Sequence, residues 1–333
     1  MVLNKNKYDQ NGFSLIEVLI VLFIIAILGT VGWWVWHRSH KVVNISTPTN
    51  KVLNNKGPSV SVSQTAENWT TSNKMVLANT TSTDTHKLSD GTYRMYYMHD
   101  GNIVYSDSTD AVNFSAPNPT GVNGGPGAML SNPSVLEIKT GDWIMIYEQD
   151  FGTNPQTAQR NLYLATSSDG MHFTEAGIAV DSSKQDNNFA SVPNLILLPN
   201  GTVRMYYVCG GQDICARDSS DNGKTWIKDT FKFNQTNVGD PDVLRSGNNW
   251  VMYFTNLNPD SNGIYKAYSS DGLNWTALNG PVIEKTNSNY VNVDPDVVET
   301  SSNHFTMFYG QASDPSSPLN LYSASYRGNI FQN

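Results

Sequence analysis

Near its N-terminus the chain turns almost wholly apolar, and Leu15 to Trp36 reads LIEVLIVLFIIAILGTVGWWVW. A helix that spans a bilayer needs about 20 such residues, so this run predicts one hydrophobic α-helix. Trp33, Trp34 and Trp36 gather at one end, where amphipathic rings favour a membrane interface. Lys5 and Lys7 precede the run and His37, Arg38, His40 and Lys41 follow it, so flanking charge does not orient it. No small-x-small cleavage signature follows the apolar core, which argues against an ordinary secretory signal peptide. Periodicity then disappears. Val42 to Asn68 is rich in Ser, Thr and Asn around Pro48 and Gly57-Pro58, the composition of a linker.

Beyond the linker the pattern becomes one of short strands, and it repeats. Tyr93–Tyr97, Trp143–Tyr147, Val203–Tyr207, Trp250–Phe254 and Phe305–Tyr309 are aromatic-apolar strands centred on Met95, Met145, Met205, Met252 and Met307. These methionines are 50, 60, 47 and 55 residues apart. A common place in every repeat predicts a core position. Tyr96, Tyr97, Tyr206, Tyr207, Tyr253 and Tyr309 flank them and are candidates to stack on a ligand ring, although strand alternation sends half into packing. Before four of the methionines another strand opens on a proline: Asn132-Pro133-Ser134, Val192-Pro193-Asn194, Asp240-Pro241-Asp242 and Asp294-Pro295-Asp296. The first repeat has Thr83-Asp84 there. A third strand follows, then a turn closed by Phe114, Phe173, Trp226 or Trp275. Strand, strand, strand, turn and strand with a period near fifty describes a four-stranded propeller blade. The fifth repeat lacks its outermost strand, which Trp69 to Leu77 could supply. The predicted fold is all-β, a five-bladed β-propeller over 67–333, after a leader at 1–12, a hydrophobic helix at 13–41 and a linker at 42–66.

Composition sharpens this picture in three places. Charged residues are 15%, against about 25% in ordinary domains, while 39% are hydrophobic, which suits turn-rich strands with a sizeable core. The net charge of −8, with no lysine-arginine run, disfavours a nucleic-acid partner, because phosphate neutralisation needs a basic face. Two cysteines exclude a disulfide framework or a four-cysteine zinc site. Cys209 and Cys215 flank a turn six positions apart, within reach across a hairpin, and an exported domain permits oxidation. A disulfide is therefore favoured over two free thiols.

Glu17 is the exception within the apolar run. A carboxylate at membrane depth costs roughly 2–4 kcal/mol unless it is paired. Its setting, Gly12-Phe13-Ser14-Leu15-Ile16-Glu17, resembles the prepilin motif of type IV pilins and type II secretion pseudopilins. The resemblance covers residues 1 to about 41. It implies cleavage between Gly12 and Phe13 by a prepilin peptidase and methylation of the new N-terminal Phe13. It also implies that Glu17 neutralises the free amine of a neighbouring pilin during filament assembly. An ion pair of that kind relieves two costly charges at once. Losing the leader takes the net charge from −8 to −9. The resemblance places the helix in the cytoplasmic (inner) membrane and the propeller outside it, on the cell surface or a pilus. The early Pro48 and the linker depart from the usual long pilin helix and favour a minor or tethered subunit over a major pilin.

Two further resemblances lie in the propeller. Ser219-x-Asp221-x-Gly223-x-Thr225-Trp226 resembles the Asp-box of sialidases, a mark of turn structure rather than of activity; 167–170 and 269–272 are looser copies. Five blades with Asp-Pro-Asp strand starts resemble arabinanase, xylosidase and invertase-type glycoside hydrolases. That resemblance places carboxylates at the inner strand starts near the axis. Asp84, Asp240, Asp242, Asp294 and Asp296 are thus candidate ligand-binding residues. Hydrolysis needs two carboxyl groups on opposite sides of a bond, about 6–9.5 Å apart for inversion. The Glu-Gly-Pro acid common in those enzymes is missing, so Asp240, Asp294 and Glu148 are weak catalytic candidates. Three readings stay open for the aspartates: strand and turn caps, a sugar or Ca²⁺ site with no other cofactor, or catalysis. The expected function is a pilin-like surface protein whose propeller binds a glycan or another surface ligand; enzymatic activity stays open, with the balance against it. The alternatives are an anchored glycoside hydrolase acting on extracellular polysaccharide and a structural pilus subunit.

Overall fold

A computed structural model describes residues 67–125, 127–151, 159–285 and 290–332. Gly12, Phe13, Glu17, the leader, the hydrophobic helix and the linker lie outside the described residues. No helix among the described residues is long and apolar enough to cross a membrane.

The described strands form five sheets, one for each repeat. Blade 2, for instance, runs outward through Met129–Lys139, Asp142–Phe151, Gln159–Ser167 and Thr174–Val180. The inner strands of the other blades are Asp84–Lys87, Ala190–Leu197, Val238–Ser246 and Val291–Ser301. Blade 5 takes its outermost strand from the other end of the described chain. Thr70 pairs with Ser325 and Thr71 with Ala324, which completes blade 5 and closes the ring.

The second strand of each blade lies between inner and third strands and is covered on both faces by adjoining blades. That double burial explains why the repeats read as apolar runs rather than as alternation. All five central methionines have no exposed surface. The six tyrosines considered for ring stacking are likewise buried, at 0–2% exposure. None offers a platform to a ligand. Their hydroxyls serve the fold instead: Tyr96 donates to Gly170 O (2.6 Å) and Tyr206 to Gly272 O (2.7 Å), each reaching a turn of the next blade.

The Asp-box turns close the third strands. Ser219 Oγ donates to Asp221 Oδ1, Asp221 accepts the Thr225 amide and hydroxyl, and Trp226 Nε1 donates to Gly223 O. Gly223 sits at φ 81°, a conformation that a side chain disfavours. A fourth copy stands at Ser108-Thr109-Asp110-Ala111, where Ala111 adopts φ 55° in place of glycine. On the hairpin of blade 3, Cys209 and Cys215 are joined as a disulfide with their Cα atoms 5.9 Å apart.

Candidate functional site at the propeller axis

Near the start of each inner strand stands a residue in left-handed conformation: Ser82 (φ 50°), Asn132 (49°), Val192 (45°), Asp240 (54°) and Asp294 (54°). In four blades a proline follows and the pairing register slips around it, a bulge that re-aims the preceding side chain. Left-handed backbone costs a non-glycine residue about 1–3 kcal/mol, and β-branched Val192 is the severest case. That the strain recurs in all five blades marks this ring as the mouth of the axis.

Two residues further along each strand lies a second ring with a different task. Asp84 accepts the amide of Val135 in the next blade, Ser134 that of Leu195 (3.0 Å) and Asn194 that of Val243 (3.1 Å). Asp242 accepts that of Val297 (2.8 Å), and Asp296 returns to blade 1 at Thr85 (3.1 Å). The circuit is closed: every blade holds the inner strand of the next. Asp296 also accepts the hydroxyls of Thr83 and Thr85, Asp242 the Asn194 amide, and Asp84 faces His86 Nε2 at 2.9 Å. Among the five candidate ligand-binding aspartates, then, Asp84, Asp242 and Asp296 spend their oxygens on this girdle. Only Asp240 and Asp294 stand at the mouth.

Those two are neighbours on adjacent blades. The Asp294 amide donates to Asp240 Oδ2 (3.4 Å) and Thr255 Oγ1 (3.2 Å), and Thr81 donates to Asp294 Oδ2 (2.5 Å). Burial raises both carboxyls above the ordinary range, and for Asp240 the adjacent Asp294 charge adds to it. In the girdle burial, followed by other carboxylates, raises Asp242 and pushes Asp296 up to about 7. His86 is raised as well: burial lowers it, but Asp84, Asp296 and Asp242 together outweigh that.

Glu148, within the second strand of blade 2, lies beneath the opposite part of the mouth and is 1% exposed. It accepts Asn132 Nδ2 (2.6 Å) and the Ser191 hydroxyl, with Arg160 Nη1 at 3.5 Å. Burial and then Asp150 raise it to about 8, against the opposing effects of Ser191 and Arg160. Thr81, Thr255, Ser191 and Arg160 carried no signal in the sequence, because each belongs to a different repeat position from the carboxyl it serves.

The pit that both rings line has a volume of about 20 Å³, room for a single water. A sugar ring cannot enter it and must lie across the mouth. The other three positions of the mouth ring are Ser82, which hydrogen-bonds Asp294, Val192 beside Asp240, and Asn132 opposite the pair, none of them acidic. Among the described residues no group of three or more His, Cys, Asp or Glu side chains is disposed to hold a metal ion. With the girdle aspartates engaged, an axial Ca²⁺ would have only the Asp240–Asp294 pair to draw carboxylates from.

Fold and mouth together define a glycoside-hydrolase-like propeller, here joined to a pilin-like N-terminal motif. Residues 125–326, more than half of the chain, match the N-terminal domain of glycosyl hydrolases family 32, and the chain belongs to that family. Residues 7–33 match the prokaryotic N-terminal methylation motif. Similar solved structures include an exo-1,5-α-L-arabinanase from a bovine ruminal metagenomic library, at TM-score 0.59 and 12% identity over 78% of this chain and 99% of that one. The α-L-arabinofuranosidase of Lactobacillus brevis matches at 0.59 and 13%, over 77% and 93%. The Cellvibrio cellulosa α-L-arabinanase complexed with arabinohexaose matches at 0.58 and 12%, over 75% and 92%. At these identities the likeness is one of fold. No curated protein sequence gives a significant match.

Proposed function

We propose that the chain is a minor pilin or pseudopilin that displays a carbohydrate-binding propeller, with Asp240 and Asp294 at the mouth receiving sugar hydroxyls. The observation that carries this reading is the one-sided mouth. Two carboxyl groups stand side by side on blades 4 and 5, and no acidic residue faces them in the ring. Hydrolysis needs carboxyl groups flanking one bond; hydrogen bonding to hydroxyls does not. The N-terminal methylation motif supports processing by a prepilin peptidase, membrane insertion and contact with other pilins through Glu17.

Glu148 favours a second reading, an anchored glycoside hydrolase. A buried carboxyl raised to about 8 is protonated at neutral pH, the state a general acid requires. Its oxygens are turned to Asn132, Ser191 and Arg160 rather than to the pit, so the binding reading takes precedence. The test uses the full chain in detergent with a panel of polysaccharides, following both retention and sugars released. Retention without release, lost in Asp240→Asn/Asp294→Asn, is the expected result. Release that disappears in Glu148→Gln would establish the hydrolase instead.

A further inference from the structure

Over blade 3, on the same face as the axial mouth, lies a cleft of about 400 Å³, within the roughly 300–1,000 Å³ of small-molecule sites. Its position follows from register: Cys209 in its wall pairs with Ala190, two residues before Val192. The third strand, which supplies Ile214 and Cys215, lies two strand spacings, about 10 Å, out from the inner strand.

The cleft is held rigid from two sides. The Cys209–Cys215 disulfide closes the hairpin that forms one wall. Asp186, its side chain 1% exposed, anchors the other by accepting Tyr207 OH (2.9 Å), Arg217 Nη2 (3.1 Å) and Lys228 Nζ (3.0 Å). Two cations against Asp186, with Asp213 at the rim, leave the local charge balanced, so nothing selects a charged ligand. Beside those charges the opening carries aromatic and amide side chains. Phe231 and Phe233 stand half-buried with ring centroids 6.3 Å apart, and the side chains of Gln185, Asn187 and Gln235 make no hydrogen bond within the described structure. Aromatic surface takes the C–H face of a sugar ring, and free amides both donate to and accept from its hydroxyls.

We infer that this cleft is a second binding site, for a neutral linear glycan. The choice of carbohydrate as ligand rests on the proposed function; the site itself is separate from the axis. The third-strand wall of the cleft lies about 10 Å out from the inner strand of blade 3, whose Val192 belongs to the mouth ring, so one chain can reach both, and the second contact is then intramolecular.

The test is hydroxyl-radical footprinting of the full chain in detergent, with neutral linear oligosaccharides of increasing length, arabinohexaose among them. Phe231 and Phe233 should be protected in the wild type and in Asp240→Asn/Asp294→Asn. Gln185→Ala/Gln235→Ala, at one exposed and one half-buried position that leave the disulfide and Asp186 untouched, should abolish that protection. It should also weaken binding of the longest oligosaccharide by about 10²-fold, with little change for the shortest. Protection at the axis without protection of Phe231 and Phe233 overturns the second site and leaves the proposed function standing. Protection at Phe231 and Phe233 alone does the reverse, and protection at neither overturns both.

Discussion

Aspartate appears in this chain under two opposite conditions, and they give stability a definite pH profile. In the Asp-box turns Asp110, Asp169, Asp221 and Asp271 accept backbone and side-chain donors, which hold their carboxyls low; Asp221 falls to about 2. Stability from these groups is present above the unfolded value near 4 and is lost as pH falls toward the folded one. At the axis Asp240, Asp242, Asp294 and Asp296, with Glu148, are raised by burial, Asp296 to about 7 and Glu148 to about 8. Their contribution is full below the unfolded value and is lost as pH rises through the folded one. The expected outcome is a maximum in Tm near pH 4–5 and a steady decline to pH 8, with the decline shallower in Asp294→Asn. Thermal scans between pH 3 and 9 check it, and a Tm that climbs from 5 to 8 contradicts the buried-carboxyl account. The turn aspartates were legible in the sequence wherever Ser-x-Asp ran on to glycine; Asp110 escaped because Ala111 takes the glycine's place. The axial set was legible only as Asp-Pro-Asp. Nothing local separates the first aspartate, at the mouth, from the second, in the girdle, because the difference is a backbone amide some fifty residues away.

Strands were easier to find than their surroundings, since a second strand buried on both faces prints a largely apolar segment around a methionine and repeats it five times. What holds the strands to one another was less visible. Lys266, 1% exposed, reaches Glu67 Oε1 and the carbonyl of Ile330 (2.6 Å), and Glu67 also accepts Tyr253 OH (2.8 Å) and Trp69 Nε1 (3.1 Å). Residues from both ends of the described propeller thus meet on the third strand of blade 4. Removing one partner of a buried pair strands the other charge, so Lys266→Ala should cost about 3–5 kcal/mol by denaturant unfolding. Glu67→Gln/Lys266→Met should cost less than the single change, because no unpaired charge remains. The girdle is open to the same measurement. Asp242→Ala leaves the buried Val297 amide and Asn194 without their acceptor and should cost about 1–3 kcal/mol, whereas Ile227→Ala, at an exposed outer strand, should cost less than about 0.5.

Across the whole propeller, the course of the closing strand decides how the mouth is presented. Between Thr70 and Leu77 the chain passes along Asn320–Arg327 from its Ser325 level to Leu321, that is, away from the hairpin at Asn303 and toward the face where the inner strands begin. The propeller is therefore entered from the Asp-box side, and the axial mouth and blade-3 cleft lie on the other. Asp260, exposed on the hairpin between the second and third strands of blade 4, lies on the mouth side. Both native cysteines are tied in the disulfide, so Asp260→Cys supplies a unique thiol for attachment. Protein captured by its N-terminal segment should retain polysaccharide, and the same protein captured through position 260 should retain far less at equal loading. Equal retention in the two orientations would place the binding surface away from the mouth face, whichever sugar is used.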